Sequence, residues 1–441
     1  MNINDYKKPE RRISVIQFGG GVFLRGFFDV MMQEGNELYS DMSGDVIIVR
    51  SRTTGVDPLA DQNFMYTNVA RDGEHCQITR VDSIAGSINP AEDFEAFLRL
   101  AENPDTKTIV SNTTEAGIVY EFAKLPDEAV SYPARLAALI KRRLDSHLCG
   151  FLVLPCELIE NNGTTLREIV LRHGQDWGYG EDFVDFVNDK CLFRNTLVDR
   201  IVSGKPTEDI ELPWEDAHIN TSEHFRLWAI EGKPDRAHPL PFGDDHDYIK
   251  YVPDLSVFRT MKVRLLNGAH TSMIPYALLS GLETVGNCLA DKKMRSFLDE
   301  CLKCEILPSL EGECDLNEAE DYANDVLRRF ANPFIHHKCA SIALNSVSKW
   351  KVRVLPSLLA YKKKRGGYPA GLVFSLAKLI ELYKNTPPTD DPAVIASIKD
   401  RSVDEILADD LLWGIDLSEL SVMVTNGIGK EFDEFRAGTD R

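Results

Sequence analysis

Arg12-Ile13-Ser14-Val15-Ile16-Gln17-Phe18 runs directly into Gly19-Gly20-Gly21-Val22-Phe23-Leu24-Arg25-Gly26, a strand, a glycine turn and the start of a helix. The first seven residues are apolar and rich in β-branched side chains, the mark of a short buried strand. Glycines at the turn permit positive φ and close approach of the backbone to a ligand. A helix starting behind them directs its N-terminal N–H groups and positive dipole end at an anion such as a pyrophosphate. A helix from about Val22 to Gln33 and a second strand over Asp45-Val46-Ile47-Ile48-Val49-Arg50 would complete a βαβ unit. Gly19, Gly20, Gly21 and Phe23 are therefore candidate cofactor contacts. The glycine pattern departs from the usual dinucleotide fingerprint, because Leu24 stands where the third glycine belongs and Gly26 follows two residues later. The acid expected after the second strand to hold ribose hydroxyls is replaced by Arg50, Ser51 and Arg52, which suit either a 2′-phosphate or a solvated loop.

Working outward, Thr108-Ile109-Val110-Ser111-Asn112-Thr113-Thr114-Glu115 reads as a strand ending in a polar turn, which adds Asn112 and Thr113 to the cofactor candidates. Gly150 to Pro155 reads as a further strand, with helices over Ala91 to Ala101 and Tyr132 to Leu144. This alternation predicts an α/β, doubly wound, mostly parallel sheet with ligands at the carboxyl ends of its strands. Gly232 to Pro253 is dense in Pro, Gly and Asp and marks a long loop near a boundary. The expected domains are residues 1–252, dinucleotide-binding, and residues 253–441, mainly α-helical and bearing substrate and catalysis. Amphipathic runs over Met294 to Leu307, Asn317 to Phe330, Ser341 to Trp350 and Leu372 to Tyr383 support the second.

The 441 residues carry 50 Lys+Arg against 69 Asp+Glu, a formal charge of −19 that disfavours nucleic-acid binding. No apolar run approaches the roughly 18 residues that span a bilayer, and the basic start has no apolar stretch behind it, so a cytoplasmic protein without membrane partner is expected. Cysteines scattered through apolar contexts fit buried thiols in a reducing compartment. Cys301-x2-Cys304 has ligand-like spacing, and Cys314 or the His336-His337-x-Cys339 cluster would have to complete a zinc site; half-buried helical cysteines are the simpler reading, and no metal is expected.

Thr260 to Met273 reads as a helix. At about 100° per residue Lys262, Asn267 and His270 project at about 0°, 140° and 80°, within one arc. An ammonium, an amide and an imidazole can move a proton on and off an alcohol oxygen, steady the oxyanion and orient the substrate. Spacing alone is not specific, since a lone lysine on a helix is usually solvated and His270 could be a satisfied core residue.

Lys262-x4-Asn267-x2-His270 resembles the signature of the polyol-specific long-chain dehydrogenases, the mannitol dehydrogenase family. The likeness extends in order through IQFGGGVFLRGF, SNTTEAGI, PCELIENNG, RNTLVDRI, EHFRLWAIEG, KVRLLNGAHTSMIPY and NSVSKWKVRVLP. The last five segments and VRSRTTG lean toward the branch that acts on hexuronates. That resemblance implies a Rossmann-like N-terminal domain, a helical C-terminal domain and metal-independent hydride transfer with NAD(H) between D-tagaturonate and D-altronate. It makes Lys262 the general acid/base, with its pKa lowered by burial or a neighbouring cation. It makes Asn267 the alkoxide donor and His270 the group that orients the substrate. The mannitol-oxidising branch has an Asp-Asn pair where this chain has Glu157-Leu158; a leucine cannot donate, so Asn161 or Asn162, a backbone N–H or His270 would replace the lost donor, and Asn162 is taken as a substrate contact. Asp199 matches a position at the substrate site. A sugar acid also needs a cation for its carboxylate. Lys349, Lys351, Arg353 and Arg264 are available, and Lys349 is the expected anchor. The competing readings are a sister activity on D-fructuronate or mannitol, a non-catalytic NAD(H)-binding sensor, and a zinc-dependent dehydrogenase using Cys301 and Cys304.

Overall fold

Alternate residues of the first strand, β1 (Ile13–Phe18), enter different cores. Val15 packs with Leu24, Phe28 and Val46; Ile16 and Phe18 pack with Phe97, Tyr132 and Leu136. A strand buried on both faces belongs inside a sheet covered by helices on both sides, which calls for parallel neighbours joined by crossovers. β1 pairs in parallel with β2 (Asp45–Val49) on one edge and β4 (Thr108–Ser111) on the other. With β3 (Ile84–Ile88), β5 (Leu152–Pro155) and β6 (Leu192–Phe193) they form a six-stranded sheet of order β3-β2-β1-β4-β5-β6. The order reverses between β1 and β4, so the crevice at their carboxyl ends is the topological switch point where such sheets bind ligands.

The computed structural model describes residues 1–39, 44–50, 55–113, 115–206 and 208–439, which divide into two units, Met1–Leu255 and Ser256–Arg441. In the first, the helix expected from Val22 to Gln33 is two helices, α1 (Val22–Gly26) and α2 (Phe28–Leu38), broken at Phe27 with φ −123° and ψ −79°. A Cβ on Gly26 would stand 2.7 Å from Val202 Cγ1 and 2.8 Å from Asn220 Nδ2, so the displaced third glycine still serves close packing of helix on strand. A four-stranded sheet (Val202–Gly204, Asn220–Ser222, Tyr66–Arg71, Cys76–Val81) and a three-stranded one (Ile249–Val252, Leu227–Glu231, Thr196–Asp199) complete this unit. The stretch read as loop to Pro253 thus ends in a strand, because Ile249-Lys250-Tyr251-Val252 finds a parallel partner in Trp228 to Glu231.

The second unit is helical. α3 (Ser256–Met261) leads into a π-helical segment, Lys262–Asn267, continued by α4 (Gly268–Leu279). α4 is buried from Gly268 to Ala277 and packs against α7 (Ala370–Asn385), also buried on nearly every side; helices apolar all round are core helices. α5 (Leu316–Phe330) and α6 (Ser346–Arg353) flank them. Two expected helices are interrupted: Ser341 to Trp350 breaks at Asn345, whose φ is +53°, and Met294 to Leu307 turns π-helical over Glu300–Ile306. No helix of the described residues is long and apolar enough to cross a membrane.

Candidate active site

Gly19 follows β1 with φ +108°, and a Cβ there would lie 2.7 Å from the Asn112 carbonyl oxygen, so position and neighbour both demand glycine. The Asn112 N–H donates to Phe18 O at 3.0 Å and its Nδ2 to Cys156 O at 3.0 Å. The turns after β1, β4 and β5 are thereby held together at the switch point. Gly21 precedes α1 with no side chain capping it, and a Cβ on Gly21 would meet nothing within 4 Å. This open glycine turn, with uncapped N–H groups behind it, fits a pyrophosphate. Phe23, on α1, stacks on Phe27 at 5.1 Å.

Thr113 is held from below. Its N–H and its hydroxyl both donate to Glu157 Oε1 at 2.8 Å, and Ser111 Oγ donates to Oε2 at 2.9 Å. Burial pushes the Glu157 carboxyl up, and these three donors pull it back. Glu157 is therefore a buttress of the turn, while Leu158 beside it is 55% exposed. Asn162 is committed to the backbone: Nδ2 donates to the carbonyls of Pro155, Glu157 and Thr196, and Oδ1 accepts from Gly163 and Thr196. Its amide has no hydrogen left for a substrate, which removes it as the replacement donor; Asn161, at φ +50°, is exposed. Arg50 donates from Nη1 to Gly55 O, with Nε 3.7 Å from Asp57 Oδ2, so the cation after β2 has a local carboxylate. Ser51, Arg52 and Thr114 lie outside the described residues. Asp199 is buried at the end of its strand.

In the helical unit the expected α-helix departs from α geometry over Lys262–Asn267. On an α-helix Lys262 and Asn267 would point about 140° apart. The i→i+5 bonding of the π segment widens the turn, so residues five apart fall nearly one above the other. Lys262 and Asn267 share a face as a result, both partly exposed, while Arg264, Leu265 and Leu266 between them are buried. His270 is buried, its ring stacked on Phe330 at 3.8 Å and meeting His337 edge-on at 5.3 Å. Burial, then the positive charges of His337, Arg329 and Arg353, hold its pKa well below the ordinary value, so the ring is neutral near pH 7. Its Nε2 is buried without a partner among the described residues. A neutral imidazole offers one donor and one acceptor to a sugar hydroxyl or carbonyl.

Of the cations considered for a carboxylate, Arg264 bonds Ser357 and Ser309 and faces Glu313, a structural role between helices. Lys349 donates to Ile342 O at 2.8 Å. Burial and Arg353 lower its pKa and Asp390 opposes them. Among the described residues no three of His, Cys, Asp and Glu gather as metal ligands do. Cys301 is buried and Cys304 exposed, whereas Cys288 and Cys339 bring their sulfurs within 3.8 Å. The π turn, the Glu157 buttress and the Phe330–His337 seat of His270 all escaped the sequence reading. Each depends on partners distant in the chain; only Gly26, as a displaced third glycine, left a local trace.

Residues 13–241 match the mannitol dehydrogenase Rossmann domain and residues 254–428 the mannitol dehydrogenase C-terminal domain. An altronate oxidoreductase of Enterobacter sp. is 40% identical over 394 residues, 85% of this chain and 80% of its own length. One from Escherichia coli is 38% identical over 416 residues, 89% and 85% of the respective chains. Among solved structures, Pseudomonas fluorescens mannitol 2-dehydrogenase in complex with NAD and D-mannitol aligns over 98% of this chain and 94% of its own, with a TM-score of 0.73 at 17% identity. A D-sorbitol dehydrogenase in substrate-free form aligns over 98% and 96%, with a TM-score of 0.81 at 19% identity. Both domains of the family are present in family order on the fold they share, and the chain is an oxidoreductase belonging to the mannitol dehydrogenase family.

Proposed function

We propose that this chain is an NAD(H)-linked tagaturonate reductase, interconverting D-tagaturonate and D-altronate in the cytoplasm. The reading is carried by one observation: Lys262 and Asn267 stand on one π turn and His270 on the helix that continues it, in a chain with altronate oxidoreductase relatives at 38–40% identity. The first unit is the dinucleotide-binding domain and the second the substrate domain. Gly19, Gly20, Gly21 and the N–H groups of α1 take the pyrophosphate, with Phe23, Asn112 and Thr113 lining the turn. Arg50, already engaged by Asp57 and Gly55, favours NAD(H) over its 2′-phosphorylated form. Nine free thiols accord with a reducing compartment.

When bound, the nicotinamide supplies or accepts hydride. In the reducing direction the Lys262 ammonium gives its proton to the ketone oxygen; in the oxidising direction the neutral amine takes the hydroxyl proton. Asn267 Nδ2 donates to the oxygen as it gains charge, an interaction worth about 10²–10³ in rate for such donors. His270, neutral, orients the adjacent hydroxyl, and Asp199 completes the polyol contacts. No step requires a metal.

The test is the decay of NADH absorbance with D-tagaturonate, D-fructuronate and D-fructose, with and without a chelator, and with NADPH on the best substrate. Turnover on tagaturonate, indifferent to the chelator, is expected; Lys262→Ala should lower kcat by about 10²–10⁴ while NADH still binds. Preference for fructuronate or fructose would overturn the substrate, chelator sensitivity the metal-free mechanism, and NADH binding without turnover on any of the three the enzymatic reading.

A further inference from the structure

We propose that Arg353, rather than Lys349, is the residue that recognises the carboxylate of the sugar acid, forming with the surround of His270 an anion subsite in the helical unit. The proposal rests on the reading above and deepens it.

Of the three other candidate cations, Arg264 is engaged by two serine hydroxyls and Glu313, Lys349 by the Ile342 carbonyl with Asp390 nearby, and the Lys351 ammonium lies beside Gly414. Arg353 differs. It ends α6, and its carbonyl oxygen lies 3.1 Å from the place a Cβ would take on Gly268, the residue between Asn267 and the His270 turn. The side chain is therefore carried on backbone that touches the catalytic turn itself. Its guanidinium is partly buried and has no ion pair or hydrogen bond among the described residues. Burial lowers its pKa, and no carboxylate acts to raise it.

The surroundings have the same sign. The permanent charges that bear on His270 are Arg329 and Arg353, and Lys349 bears on His337, whose own pKa is lowered by burial and then by that lysine. A half-buried guanidinium without a counter-ion is costly, and an incoming carboxylate relieves that cost while accepting two parallel N–H donors in fork geometry. A neutral sugar offers nothing equivalent, so the same arginine that favours a sugar acid is left unpaired by a polyol. Discrimination then follows from the penalty on the wrong ligand as much as from the bond to the right one.

The experiment compares D-tagaturonate with D-tagatose, which carries an alcohol where the acid has its carboxylate, as NADH-linked substrates of the wild type, Arg353→Gln, Arg353→Lys and Lys349→Gln. Charge-assisted bonds of this kind are worth about 10- to 150-fold. Arg353→Gln should raise KM for tagaturonate by that factor with kcat nearly kept and leave kcat/KM for tagatose unchanged or higher. Arg353→Lys should recover part of the loss. Equal losses on both sugars mean a structural role and overturn the proposal, as does loss confined to Lys349→Gln. If the wild type reduces no ketohexuronate, the activity reading fails by itself. The subsite is then read from tryptophan fluorescence with D-gluconate against D-glucitol: gluconate binding that Arg353→Gln abolishes sustains it, and binding that is absent or indifferent to the variant overturns it.

Discussion

Two turns, one in each unit, leave regular geometry by different means. After β1 the chain bends at Gly19, where φ is +108° and the Asn112 carbonyl would collide with any Cβ. From Lys262 to Asn267 it widens into a π turn built of Lys, Val, Arg, Leu, Leu and Asn, none of which has a local reason to refuse an α-helix. The first distortion is written in residue type. The second is imposed by packing, with Arg264, Leu265 and Leu266 drawn into the core and Gly268 pressed against the Arg353 carbonyl. A functional irregularity can be read locally when a side chain, or its absence, forces it, and is hidden when tertiary contacts do.

The difference can be broken from either side. Deleting Val263, a partly exposed residue inside the π turn, should return the segment to α geometry and swing Lys262 by about 100° from Asn267 and His270. We expect kcat to fall by about 10²–10⁴, as for removal of the acid/base itself, with NADH affinity and far-ultraviolet circular dichroism kept. Retained turnover would mean that the wide turn does not place the lysine. Gly19→Ala attacks the other turn. Strain of about 1–3 kcal/mol should weaken NADH binding roughly 5- to 150-fold while kcat at saturating NADH changes little. A variant with lowered kcat and intact NADH affinity would separate the glycine turn from the cofactor.

The same contrast explains what could be read from the sequence. β1, β2, the helices over Tyr132–Asp145 and Leu316–Phe330 and the glycine turn follow from periodicity and from residue types with one physical use. The long helix behind the glycines was misread because its break at Phe27 answers to packing of Gly26 against Val202 and Asn220. Asn162 looked like a free amide in a polar loop, and only the fold shows five backbone groups around it. Lys349 and Arg353 are alike in the sequence, two cations on one short helix; what distinguishes them is that the first reaches a carbonyl and the second does not. Spacing locates chemical groups, and long-range contacts decide which of them remain available.

A smaller effect distinguishes the two turns through pH. Asp29 on α2 is fully buried, its Oδ1 without a partner among the described residues and its Oδ2 3.5 Å from Gln17 Nε2, which also donates to Gly19 O at 3.0 Å. Burial pushes its carboxyl up to about 7, against the lowering effects of Gln17 and Arg25. The folded pKa lies above the unfolded one, so the unit holds a proton there that the unfolded chain releases. Stability from this group is complete below about pH 4 and is lost as pH rises toward and through 7. Asp29→Asn, neutral at every pH, should gain on the wild type by about 1–3 kcal/mol between pH 5 and 8, read from urea dependence of hydrogen exchange at the β1 amides. Parallel pH profiles for the two proteins would show that Asp29 does not titrate in this range. A gain confined to the β1 amides and absent from α4 would show that ionisation beneath the glycine turn loosens that turn and leaves the π turn alone, as expected if one is held by its own residues and the other by the core around it.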